Sequence, residues 1–255
     1  MFQEERLLEI KKILQEKKRI SIEDICETFT VSRDTARRDL VKLDEQGHII
    51  RTRGGALLPT NQLPVQTYED RLLAQKTLKD KIGKAATQLI RDGEQVLLDS
   101  STTVQSMIHY WQSTYNKIVT NSVDIASIVT NTYQAEVHIL GGVIHPKQRF
   151  IYGAKALEQL SQLHFHKLFL GACGVSQIGL SNPYEEEATL LRTMIKQSEQ
   201  IIVLADHKKF HQQLFHHVCP LESIDIIITD QVPDSVYQEL LHDLDIQLII
   251  TKGDE

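Results

Sequence analysis

The sequence predicts an α/β protein in two parts, a small helical domain ending in a hairpin and a larger domain on an open, mostly parallel sheet. Three observations predict it. Residues 3–58 hold three short amphipathic helical patterns followed by a Gly-Gly hairpin signal. From Glu94 onward, short apolar runs alternate with helical stretches, the rhythm of a parallel sheet. Between these regions Leu57 to Gln66 carries two prolines, an asparagine and little periodicity, which marks a break. The expected division is residues 1–58, a linker over 59–75, and a second domain over 76–255.

Leu7, Ile10 and Leu14 share one stripe of a first helix over residues 3–17, which ends at the Lys17, Lys18, Arg19 cluster. Ile20 opens a short strand. Ser21 then caps a second helix, with Asp24 at the capping-box position and Ile22, Ile25, Cys26 and Phe29 turned inward. Thr30 to Ser32 make the turn into a third helix, capped by Ser32, with Asp34 in its positive first turn and Gly47 as its stop. Ala36, Leu40 and Leu43 face inward. Asp34, Arg38 and Lys42 point away, flanked by Thr35 and Arg37, so the outer face is polar and mostly basic. A hairpin follows, with strands near His48 to Thr52 and Ala56 to Leu58 and its turn at Arg53, Gly54 and Gly55.

Two helices joined by a tight turn, the second basic outside, are the layout of a helix-turn-helix, and the hairpin makes it winged. The candidate contacts to double-stranded DNA are Ser32, Arg33, Asp34, Thr35, Arg37, Arg38 and Lys42 on the helix, with Arg51 and Arg53 on the wing. Arg37 or Arg38 suits bidentate contact to guanine or a phosphate clamp, and Thr35 suits a phosphate or a thymine methyl. Asp34 suits either cytosine or the helix dipole. The wing arginines suit phosphate or the minor groove.

Net charge is -6, yet residues 1–58 hold 12 Lys and Arg against 11 Asp and Glu, so the acidity lies in the second part. DNA affinity then rests on where the arginines sit rather than on bulk charge. Three scattered cysteines without a CxxC pair suggest neither a disulfide framework nor a cysteine zinc site. No apolar run approaches a membrane span and the charged N-terminus is no signal peptide, so the expected location is the cytoplasm with no membrane contact.

In the second part a helix is expected over Gln75 to Arg91. The strands expected after it are Val96 to Leu98, Ile118 to Val119, Val137 to Leu140, Leu168 to Leu170, Ile201 to Ala205, Ile226 to Ile228 and Leu248 to Ile250. Their carboxyl ends lead into Asp99-Ser100-Ser101-Thr102-Thr103, Thr120-Asn121-Ser122, Gly141-Gly142, Gly171 through Gly174 with Cys173 between them, and Asp206-His207-Lys208-Lys209. In an open α/β sheet such loops meet at one edge, where ligands bind. Hydroxyls and N–H groups at helix starts, with Lys208, suit an anion. Each loop alone is ordinary turn and N-cap chemistry, and the convergence of several is what favours a ligand site. There is no GxGxxG or GxxxxGK[ST], so no nucleotide cofactor is expected.

The first part resembles the N-terminal motif of the DeoR family of bacterial transcription regulators. The resemblance rests on Val31-Ser32-Arg33-Asp34-Thr35-Ala36-Arg37-Arg38-Asp39-Leu40, then Gly47 and Arg51-Thr52-Arg53-Gly54-Gly55-Ala56. Ala36 stands where the family usually has isoleucine, and Arg53 where histidine is usual. The strand-end loops, with Glu185-Glu186-Glu187 and Ala205 through Phe210, resemble the family's C-terminal sensor domain. The resemblance implies a fold similar to type A ribose 5-phosphate isomerase and a phosphorylated-sugar effector, with Glu187 expected among the residues near it. The reading is a repressor of a sugar-utilisation operon, and because one winged helix buries too little DNA surface for tight specific binding, a homo-oligomer is expected.

Two other classes remain open at this point. The related isomerases use acidic residues near the position of Gly171, but Leu170 to Gly174 carries no carboxylate here, which points to binding without turnover. Asp99 and Glu185 to Glu187 are the nearby candidates for an isomerase-like reading. His207, His211, His216, His217 and Cys219 offer a metal-responsive alternative, against which no metal is expected.

Overall fold

In the computed structural model, which describes residues 3–17, 19–45, 49–52, 54–57, 66–133 and 136–251, the chain divides into two units, residues 1–65 and 66–255. The first holds α1 (Gln3–Lys17), β1 (Arg19–Ser21), α2 (Ile22–Phe29), α3 (Arg33–Glu45), β2 (Ile50–Thr52) and β3 (Gly55–Leu57). Leu7, Ile10, Leu14, Ile22, Ile25, Ala36, Leu40 and Leu43, the apolar stripes read from sequence, form its core. Ser21 and Asp24 close a reciprocal capping box at the start of α2, and Thr30 in the left-handed region turns the chain into α3.

The wing differs from expectation by its register. Gly55 is not in the turn but opens β3, paired with Thr52 on one side and Ser21 on the other, so β1 joins the hairpin in a three-stranded antiparallel sheet. A Cβ at Gly55 would lie 2.1 Å from the Ile20 carbonyl oxygen, so only glycine permits this approach. The expected stop at Gly47, the wing tip at Arg53 and the strand end at Leu58 lie outside the described residues.

The second unit opens with α4 (Tyr68–Leu73) and α5 (Lys76–Thr87) and continues through β4 (Gln95–Leu98), α6 (Thr102–Ile108), β5 (Lys117–Thr120), α7 (Val123–Tyr133) and β6 (Val137–Ile139). A short hairpin of β7 (Val143–Ile144) and β8 (Ile151–Tyr152) leads to α8 (Ala154–Ser161) and β9 (Phe165–Gly171). Then come β10 (Gly174–Ser176), β11 (Gly179–Asn182), α9 (Glu185–Lys196), β12 (Ser198–Leu204), β13 (His216–Cys219), β14 (Ile226–Thr229), α10 (Ser235–Asp243) and β15 (Gln247–Ile250).

The seven expected strands form one sheet in the order β15-β14-β12-β9-β4-β5-β6, with every neighbouring pair parallel. Side chains alternate between its two faces. Leu168 and Leu170 pack with α8, α9 and α10 through Leu160, Leu190, Met194 and Leu241, while Phe169 faces Ile82, Val104, Met107 and Ile125. Strands buried on both sides read as continuous apolar runs, which is why their positions were legible. β10, β11 and β13 form a separate antiparallel sheet that the sequence reading did not anticipate.

Two boundaries need correction. Residues 66–75 were expected to be linker, but Thr67 and Asp70 make a capping box and Tyr68 is buried, so α4 belongs to the second unit; residues 59–65 lie outside the described residues. The helix expected over Gln75 to Arg91 is shorter. Gln75 sits in the left-handed region before α5, and residues 88–90 close with i to i−3 bonds after it.

Candidate functional site

Helix α3 presents the expected face. Ser32 Oγ accepts from the Thr35 N–H at 3.2 Å and lies 3.0 Å from Thr35 Oγ1, fixing the helix start. Asp34, Arg37 and Arg38 are exposed, with Arg37 4.0 Å from Asp34. Arg38 has no hydrogen bond or ion pair to another described residue. Arg33 is exposed and ion-paired to Glu23 of α2, and Lys42 is half-buried with its Nζ 3.4 Å from Gln3 Oε1. Arg51 is exposed on β2; Arg53 lies outside the described residues.

Behind this face lies a residue that the sequence reading missed. Asp39 is fully buried, receives Arg6 through two bonds of 2.5 and 3.1 Å and accepts from Gln3 at 3.0 Å. The hydrogen bond and charge of Asp39 raise the Arg6 pKa against the opposing effect of burial. The signal was present: Asp39 stands three after Ala36 and four before Leu43, a position in register with the apolar stripe.

In the second unit the chain runs from β4 outward to β5 and β6 on one side, and from β9 to β12, β14 and β15 on the other. The switch point therefore lies between β4 and β9, and in an open α/β sheet this is where a ligand crevice is expected, beyond the carboxyl ends of the strands. Asp99 bridges it. One carboxylate oxygen accepts from Ser101 N–H and the other from Gly171 N–H, each at 2.9 Å. Burial pushes the Asp99 carboxyl up to about 7 despite these bonds, and the nearby Glu187 adds to the rise. Ser101 Oγ caps α6 through Val104 N–H at 3.1 Å, and Ser100, Thr102 and Thr103 are buried beside it. Thr120, Asn121 and Ser122 are buried at the end of β5, where Ser122 Oγ caps α7 and Asn121 Oδ1 has no partner among the described residues.

Glu187 enters from α9, joined to Asn182 Nδ2 at 3.0 Å; the same nitrogen lies 3.7 Å from Cys173 Sγ. Both side chains keep some exposed surface, yet surrounding protein raises the Glu187 carboxyl and pushes the Cys173 thiol up to about 11. Arg71 opposes both shifts, and Lys209 opposes that of Cys173, so these two cations sit within electrostatic reach. A third is Lys79. It is buried, donates to the Arg71 carbonyl, and is lowered to about 8 by burial and by Arg71 and Lys209.

Arg71 Nε is buried without a hydrogen-bond partner among the described residues. Its Nη2 donates to Gln148 at 2.8 Å. Asp99 and Glu187 are thus both raised, with Arg71 within electrostatic reach of Glu187 and both Arg71 and Lys209 within reach of Lys79; Arg71 and Lys79 were not read from sequence. Arg71 fell in the expected linker, whereas Lys79 carried a usable signal, standing three and seven residues before the buried Ile82 and Ala86. The expected Lys208 is exposed and bonded through its backbone to Asp206, while its neighbour Lys209 is the one that influences Cys173 and Lys79.

The remaining expected residues serve the frame. Gly141 N–H donates to Gln159 on α8 at 2.6 Å, and a Cβ on Gly142 would lie 2.3 Å from the Tyr152 carbonyl. Gly174 opens β10, and Gly171 lies so close to Ser101 that an added Cβ would be 2.2 Å from its Oγ. The histidines are not gathered. His207 pairs with Asp230 at 2.7 Å and His211 with Asp234 at 2.5 Å, and no group of three or more metal-ligating side chains occurs among the described residues. Nor is any described helix long and apolar enough to cross a membrane.

Comparison with known proteins agrees with this layout. Residues 6–62 match the DeoR-like helix-turn-helix domain and residues 74–231 the DeoR C terminal sensor domain. The HTH-type transcriptional repressor GlcR of Bacillus subtilis is 42% identical over 255 residues, covering 100% of this chain and 99% of that protein. The glycerol-3-phosphate regulon repressor of Escherichia coli is 30% identical over 232 residues, covering 90% of this chain and 91% of that protein. Among solved structures, ribose 5-phosphate isomerase A of Neisseria gonorrhoeae aligns at 14% identity with a TM-score of 0.41, over 55% of this chain and 56% of that one, too distant to bear on function. With both parts matched and a relative similar from end to end, the chain belongs to the DeoR family of DNA-binding transcription regulators.

Proposed function

We propose that this regulator represses a sugar-utilisation operon and that a phosphorylated sugar, bound beyond the ends of β4, β5 and β9, relieves the repression. The observation that carries the reading is the pairing of opposite chemistries around one crevice. Burial lowers Lys79 most, and the charges of Arg71 and Lys209 lower it further, a repulsion that a bound dianion would relieve. Asp99, pushed up to about 7, suits a hydroxyl group, because a carboxyl near its titration point can donate or accept, and Glu187 is raised in the same direction by burial. A ligand with phosphate at one end and hydroxyls at the other satisfies both. The similar repressors named above, one of them of a glycerol-3-phosphate regulon, support the same class.

The exposed basic face of α3 lies in the major groove, with Ser32, Arg33, Asp34, Thr35, Arg37, Arg38 and Lys42 toward the operator and Arg51 and Arg53 on the wing. One such module buries too little DNA surface for tight specific binding, so two or more copies of the chain share repeated half-sites. The carboxyls at the crevice serve recognition rather than turnover, in keeping with a family of regulators. The test is a melting series of the full-length protein with sugar phosphates, free sugars and inorganic phosphate. A sugar phosphate at a hundred times its dissociation constant adds about 2.7 kcal/mol. Equal shifts with free sugars, or none with any phosphate, overturn the reading.

A further inference from the structure

Gln148 stands between the crevice and the start of the second unit. It is 2% exposed, on the loop joining β7 to β8. Its Oε1 accepts from Arg71 at 2.8 Å, while its Nε2 donates to the Gln66 carbonyl and to Tyr184 Oη, each at 3.1 Å. The partners fix the amide's orientation, because a flip would set donor against guanidinium and oxygen against carbonyl. The loop is held firmly. Arg149 makes two bonds of 2.8 Å to Asp124 on α7, and the Tyr68 N–H at the start of α4 donates to the Lys147 carbonyl at 3.0 Å.

Arg71 is the other half of this arrangement. Its Nη2 holds Gln148, its Nε is buried without a partner among the described residues, and its charge is felt at Glu187, Cys173 and Lys79. One guanidinium therefore lies within electrostatic reach of Glu187 and Cys173 and also holds the amide that secures residue 66, the first residue of the second unit.

We propose that Arg71 and Gln148 form the relay by which an anion in the crevice is reported to residue 66, where the chain leaves for the DNA-binding unit. The proposal rests on the sugar-phosphate reading above. An anion that engages Arg71 Nε draws the guanidinium from Gln148 Oε1, the amide turns to find another donor, and the Gln66 carbonyl loses its bond. The relay has two arrangements, and the anion shifts between them only by its different affinity for each. By linkage, operator DNA must change the affinity for the same anion by the same factor.

The experiment uses full-length protein with ribose 5-phosphate, glucose 6-phosphate and fructose 6-phosphate, and inorganic phosphate as the small-anion control. In the wild type, a sugar phosphate that binds should speed hydrogen exchange at the amides of residues 66–74. Gln148→Met, similar in volume and without the amide, should bind that sugar phosphate within about threefold of wild type while its effect on operator affinity shrinks at least about fivefold. Unchanged exchange over residues 66–74 in a wild type that binds overturns the relay and leaves the sugar-phosphate reading standing. So does a Gln148→Met protein that responds like wild type, or one that loses binding and response together. Should that variant not fold, the exchange measurement on the wild type decides alone. If the wild type binds none of the three sugar phosphates, the reading itself fails, and the relay with it.

Discussion

Asp39 and Arg38 are adjacent in sequence and opposite in consequence. Asp39 is enclosed with Arg6, whereas Arg38 is exposed and has no polar partner among the described residues. Asp39→Ala removes the carboxylate that neutralises a buried guanidinium, a change that costs about 3–5 kcal/mol, and thermal unfolding of the first unit should show it. Arg38→Ala should leave stability within about 0.5 kcal/mol and weaken operator binding. If Arg38 meets a phosphate, the slope of affinity against salt falls by about 1; an unchanged affinity removes it from the interface. Asp99 makes a prediction in pH. Because the folded state holds its proton more tightly than the unfolded chain, its contribution to stability is full below about 3.8 and is lost as pH rises through about 7. Glu187 acts in the same direction. The second unit should therefore melt lower at pH 8 than at pH 6, and Asp99→Asn should flatten that slope.

At the scale of elements, legibility followed burial and periodicity. The inner parallel strands were readable because each is apolar on two faces, and the three helices of the first unit because each has one apolar stripe. The antiparallel strands β10, β11 and β13 were not, being three or four residues long and rich in Gly, Ser, Asn and His. α4 was hidden for a different reason: six residues of Tyr68 to Leu73 give too little periodicity, and only the Thr67 and Asp70 cap announces them. The candidate crevice was half legible. Asp99, Ser101 and Gly171 follow strands and so were found, while Arg71 and Lys79 come from helices α4 and α5, whose approach is a tertiary fact. Where β4 and β9 meet, Gly171 permits a close approach. Gly171→Ala sets a Cβ 2.2 Å from Ser101 Oγ, so the α6 cap must shift. It should abolish the ligand-induced melting shift while leaving operator binding by the first unit intact; a retained shift would show that the crevice tolerates displacement there.

For the whole molecule, the net charge of -6 resolves into a nearly neutral DNA-binding unit and an acidic second unit. The acidic unit gives no general attraction to DNA, so under the proposed function affinity would rest on the few arginines of α3 and β2 and on the number of copies that bind together. On the proposed function, control requires only that a sugar phosphate prefer one arrangement of the chain over another, a coupling of about 1–3 kcal/mol being typical of allosteric proteins. The most direct measurement is fluorescence anisotropy of labelled DNA from the protein's own promoter, titrated with full-length protein with and without the sugar phosphates named above. We predict salt-sensitive, saturable binding that at least one sugar phosphate weakens by about fivefold or more, while its dephosphorylated sugar does nothing. Binding that no sugar phosphate alters, or that the free sugar alters equally, would contradict it.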